Sequence, residues 1–141
     1  EAKTLSWNEW RASLQNHIKF EVVLRRFLLA KAKQFLSLRT AYWATKMKVT
    51  VARLSYKEQT TRWGSCSSGK SVSFNWRLIH QKQEVIDYVV IHELAHLTEL
   101  NHSTRFWHLV EKFDPAYRVH RGWLKREGHA WELAWHAIMK P

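Results

Sequence analysis

The residues best suited to chemistry in this chain are His92, Glu93 and His96, in the run His92-Glu93-Leu94-Ala95-His96. On an α-helix, two His four apart project from one face about one turn apart, so two ring nitrogens can reach one zinc ion at about 2.0–2.1 Å. Glu93 lies about 100° round the helix from His92. It is too far round to ligate the same ion and well placed to take a proton from a water that the ion acidifies. The chemistry this implies is hydrolysis, with a metal as Lewis acid and Glu93 as general base. Nine His and ten Glu in 141 residues yield a chance His-Glu-x-x-His in roughly four of a hundred such chains. Placement in an apolar stretch without Gly or Pro, followed by a further His, makes the run a signal rather than a coincidence.

A catalytic zinc needs three protein ligands and one open position, and Leu100, next on the same helix face, cannot ligate. The third ligand is open between His102, just past the helix end, Glu111 in the element that follows, and Glu99, about 60° from His96. A His102 ligand requires a bend, and Asn101 is the residue best able to take the left-handed conformation there. Asn75 and Asp87 are candidates to hydrogen-bond a ligating imidazole, although the five-residue offset of Asp87 from His92 does not favour it. Cys66 reads as a small buried or turn residue, since as a fourth ligand it would close the site and make it structural. Phe106 and Trp107 are expected beneath the metal. The remaining His (His17, His80, His108, His120, His129 and His136) are scattered and read as structural or exposed.

The elements that must position these groups follow from spacing and punctuation. Ser6-Trp7-Asn8-Glu9 has the form of a capping box, which starts a helix near Trp7. Val22, Val23, Phe27, Leu28, Phe35 and Leu36 keep it helical to about residue 45, with a break near Lys19–Glu21. Val49, Val51 and Leu54 alternate with polar residues and predict a strand. Residues 60–76 predict two short strands around a Ser/Gly-rich turn, with Gly64 and Gly69 as punctuation. Glu84 to about Glu99 predicts the helix that carries the His pair. Ser103 caps the next helix, which runs to about Phe113, and two shorter helical pieces separated by Gly128 follow. Helices, a small sheet and then helices make an α+β domain.

The length suits one domain, residues 1–141. No apolar run approaches the roughly 20 residues of a membrane span, and the single Cys66 fits a reducing compartment, so the expected location is cytoplasmic. The chain begins with Glu rather than Met and reads as a processed or excised piece. Its net charge is +11, and between Lys19 and Arg62 eleven Lys or Arg face only Glu21 and Glu58. Such a basic half can attract nucleic acid or acidic peptides, or be an ordinary solvated face.

The stretches TRWGSCSSGKSVSFNWRLI and VIDYVVIHELAHLTELNHSTRFW, then FDPAY and WLK, resemble the YgjP-like metallopeptidase domain, over about residues 20–126. The resemblance implies a small zincin-like fold with one zinc ion, His92, His96 and His102 as ligands, and Glu93 as catalytic base. The ten-residue offset from His92 to His102 is also that of the third ligand in metzincins. Kinship with SprT-like and WLM metalloproteases is implied as well, some of which act on proteins attached to DNA. Full-length members of the family carry a β-rich N-terminal segment that this sequence does not show. In zincins an edge strand beside the active-site helix pairs with an extended peptide, and Arg62, Trp63 and Gly64 are the candidates for that edge. Tyr117 and Arg118 are candidates to stabilise an oxyanion, by analogy alone. The expected activity is zinc-dependent cleavage of peptide bonds. Its rivals are a metal-dependent nucleotide phosphohydrolase and a nucleic-acid-binding module with a structural metal. Oligomeric state is not readable from sequence.

Overall fold

The computed structural model describes residues 6–58 and 62–128. Helix α1, Trp7–Met47, begins with the predicted capping box: the Ser6 Oγ accepts from the Glu9 N–H, and Glu9 accepts from the Ser6 N–H at 2.8 Å. It ends at Lys48 in the left-handed conformation, φ 54°. The helix is unbroken through residues 19–21, where nothing in the sequence removes a backbone hydrogen bond and Arg25 pairs with Glu21 one turn back. Its apolar periodicity marks helix more faithfully than burial. Ala32, Leu36, Thr40 and Met47 form the buried face, all in the C-terminal half, whereas Val23 and Phe27 are 60% and 56% exposed.

Strands β1 (Arg53–Lys57), β2 (Gly64–Cys66) and β3 (Ser71–Asn75) form one sheet in the order β1-β3-β2, with β1 parallel and β2 antiparallel to β3. The first strand thus starts at Arg53, later than the alternation from Val49 predicts. Central β3 is buried at Val72, Ser73, Phe74 and Asn75. Between β2 and β3 the left-handed turn residue is Lys70, φ 61°, and not Gly69. A 3-10 helix, Trp76–His80, leads into α2, Gln83–Ala95, which is followed by α3, Thr104–Phe113, and α4, Tyr117–Glu127. The second helical piece expected beyond Gly128, with His129 and His136, lies outside the described residues.

Helix α2 is the centre of the molecule. Nine of its thirteen residues are buried, because α1, α3, α4 and β2 all pack against it. A helix apolar on every side is stable only when it is covered in this way. Polar links tie α1 to the rest: Arg39 grips Asp87 of α2 with bonds of 2.7 and 2.8 Å, Glu58 joins Arg25 to the buried Arg77, and the Tyr56 hydroxyl of β1 bonds to Ser37 and the Lys33 carbonyl. Part of the basic first half is therefore neutralised inside the fold. Leu36→Ala, in the fully buried stripe of α1, should cost about 2–5 kcal/mol, whereas Phe27→Ala should stay within about 0.5 kcal/mol. Urea unfolding of the two variants measures the contrast.

Candidate metal centre

Helix α2 delivers His92 and Glu93 from its last turn, and His96 is its C-cap residue. The helix stops there, sooner than the predicted Glu99, and the chain turns back at once: the Leu97, Thr98 and Glu99 N–H groups bond to the carbonyls of Leu94 and Ala95. The expected left-handed Asn101 is absent. Among the described residues only Lys48 and Lys70 have positive φ. The return is made instead by irregular residues and by extended Ser103, which bonds to the Asn101 carbonyl at 2.8 Å and caps α3 with its hydroxyl. His102 precedes that cap and so swings under the end of α2.

The result is a cluster of three imidazoles. The Nε2 of His102 lies 3.1 Å from that of His96 and 3.2 Å from that of His92. The candidate ligand atoms of the three residues all lie within 4.8 Å of one another, a grouping compact enough for one small cation. The ring chemistry fits too. His96 Nδ1–H donates to the Glu99 carbonyl at 3.1 Å, which leaves the Nε2 lone pair facing the cluster. Tyr88 Oη stands 3.4 Å from the Nδ1 of His92. Burial, and then the neighbouring imidazoles, push His92 down to about 3, and burial lowers His96 as well. Neutral imidazole is the form that binds metal. Glu111 is exposed on α3 and stands outside the cluster, as does the carboxylate of Glu99.

Phe106, fully buried on α3, is the common floor of the three rings. It stacks on His96 at 4.4 Å and meets His92 and His102 edge-on, each at 4.9 Å. Trp107 stacks on His102 at 5.9 Å. The two residues proposed to orient the imidazoles do other work. Asp87 binds Arg39, while Asn75 accepts from the Arg77 N–H and holds the Arg62 carbonyl with its amide. The Glu99 carbonyl and Tyr88 stand beside the imidazoles instead. Tyr88 was open to discovery in the sequence, being one turn before His92 on the same face, whereas a backbone carbonyl carries no sequence signal.

Glu93 is 7% exposed and lies against β2. A Cβ placed on Gly64 would come within 2.8 Å of the Glu93 Cγ, so Gly64 is where the carboxylate side chain crosses the strand. Burial pushes Glu93 up to about 7, with Arg62 pulling it the other way. Cys66 is driven up to about 11, by burial and then by Glu93, and is an inert thiol. A cleft of about 240 Å³ lined by Arg62, Trp63, Gly64, His92, Glu93 and Arg121 opens on one side of the cluster. Another, of about 420 Å³, runs past Cys66, His96 and His102. Arg121 comes from α4, and nothing in its local sequence marks it.

Strand β2 is an edge, and its ladder fixes which groups face out. Asn75 N–H donates to the Trp63 carbonyl and Ser67 N–H to the Ser71 carbonyl. In an antiparallel pair such residues alternate with ones whose backbone groups point away. Trp63 and Ser65 are therefore turned toward β3, while Gly64 and Cys66 present their N–H and C=O groups to the open edge.

The family model described as YgjP-like, metallopeptidase domain, matches residues 4–127, a longer stretch than the 20–126 that the motifs span. No curated protein matches the chain in sequence. Among solved structures, the metallopeptidase zymogen of Methanocaldococcus jannaschii jannalysin shares the fold with a TM-score of 0.50 and 17% identity, over 55% of this chain and 80% of that one. The metallopeptidase zymogen of Pyrococcus abyssi abylysin does so with a TM-score of 0.50 and 23% identity, over 72% of this chain and 94% of that one.

The contact between Gly64 and Glu93 has a measurable consequence. Gly64→Ala should destabilise the protein by about 1–3 kcal/mol through overpacking, and most of that cost should vanish in a Glu93→Ala background. A double-mutant cycle by urea unfolding checks it, with additive effects as the contrary result.

Proposed function

The chain belongs to the YgjP-like metallopeptidase family, and we propose that it is a zinc-dependent peptidase in which His92, His96 and His102 hold one zinc ion and Glu93 is the general base. The observation that carries this reading is the convergence of the His102 Nε2 on those of His96 and His92, at 3.1 and 3.2 Å, with a buried carboxylate on the residue after His92. Zinc, when bound, supplies a Lewis acid that acidifies water and polarises a scissile carbonyl. Glu93 takes the proton of the attacking water and passes it to the leaving amine. Burial raises the Glu93 carboxyl, which makes it a stronger proton acceptor than an exposed carboxylate. Gly64 and Cys66, with outward-facing backbone groups, pair with an extended substrate, and Arg62 and Trp63 form the wall of its cleft. Three ligands and a base favour catalysis over a structural metal, which would need a closed fourth position.

Two measurements test this. Glu93→Gln should keep about one zinc per chain and lose hydrolysis of an unstructured protein such as casein by at least about 100-fold; turnover at the wild-type rate removes Glu93 as the base. His102→Ala should lose zinc while Glu111→Ala keeps it, measured as metal content of folded protein. Metal loss only in the Glu111 variant overturns the three-His site.

A further inference from the structure

Helix α4 carries a cationic surface that the site chemistry does not use. Arg118, Arg121 and Lys125 are spaced three and four apart, which sets them in one stripe about 10 Å long, and all three are exposed. With Trp107 and Tyr117 they line a cleft of about 360 Å³. Among the described residues no carboxylate pairs with any of the three. The nearby Asp114 is buried and held by His120 at 2.8 Å and by the Ala116 N–H.

What the two arginines have instead is aromatic support. The Arg121 guanidinium lies 5.0 Å over the Trp107 ring and that of Arg118 4.9 Å over Tyr117, and the two rings stack at 5.2 Å. A guanidinium held flat on a ring keeps its N–H edge available for a bidentate acceptor and gives up little further freedom on binding one. The cleft also adjoins the cluster of imidazoles. Arg121 lines this cleft and the one beside Glu93, and Trp107 is the wall shared with His102 and His92.

We propose that this cleft is a subsite for carboxylate side chains of a polypeptide substrate, so that the domain selects acidic sequence next to the bond it cleaves. The proposal rests on the peptidase reading and adds the substrate class. Three cations over about 10 Å match one or two carboxylates in a chain that also reaches Glu93. A reader of nucleic-acid backbone needs cations repeated along a longer track.

The test separates recognition from cleavage. Two fluorescent twelve-residue peptides, identical except for Glu or Gln at alternate positions, are titrated by polarisation against the zinc-loaded full chain carrying Glu93→Gln. The Glu peptide should bind about tenfold tighter, as expected of a few partly exposed charge pairs. That margin should disappear when Arg118, Arg121 and Lys125 are all changed to Gln, and fall only part of the way when Arg118→Lys and Arg121→Lys keep the charge without the planar fork. Equal binding of the two peptides, or a preference that survives the Gln changes, overturns the proposal. So does a labelled oligothymidine that binds tighter than the Glu peptide and is lost with the same Gln changes. Cleavage of the two peptides by the chain with Glu93 intact is read separately, and failure there counts against the peptidase reading alone.

Discussion

Helix α2 is apolar around most of its circumference, and the free energy of covering it organises everything near it. Each buried branched side chain contributes about 1.5–3 kcal/mol only if it is fully removed from water, which requires neighbours on every side. The C-terminal half of α1 covers one flank, α3 and α4 cover others, and β2 lies along the last turn. A helix clamped in this way has no freedom to roll. The side chains at its end, His92 and Glu93, are therefore held in direction by packing that is remote from any chemistry.

The same burial sets the electrostatics. A carboxylate taken out of water beside a strand resists ionisation, and Glu93 rises to about 7 for that reason, against the pull of Arg62. His92 and His96 resist protonation for the same reason, which keeps those two rings in the form that binds a cation. Phe106 serves both ends: as a fully buried ring it belongs to the core, and as the surface beneath three imidazoles it fixes their spacing. Core and site are one packed unit here, so damage to either should reach the other.

In the proposed reading, recognition is drawn from different material. The open edge of β2 would offer main-chain groups, which fit any extended peptide, while α4 would offer side-chain cations on aromatic supports, which discriminate among peptides. Arg121 stands where these two surfaces meet Glu93. Affinity without sequence dependence on one side and charge selectivity on the other is a common division in peptide binding.

The sequence by itself determined the local features. The capping box at Ser6, the helix around His92 and His96, and the Ser103 cap depend on spacings of three to five residues, and so are legible without a fold. The motif stretches also carried the family, because several specific runs had to coincide. Periodicity could not say which apolar residues of α1 are covered, since Val23 and Leu36 look alike until a partner is in place. Nor could it show that Gly64 makes room for Glu93, twenty-nine residues away, or that Arg121 reaches the cleft. It pointed to a left-handed Asn101, whereas the chain tightens at the end of α2 and returns through the Ser103 bond to the Asn101 carbonyl, with no positive φ there. These are contacts between segments distant in the chain. Only the tertiary structure decides them, because their energy comes from burial that no single segment can achieve alone.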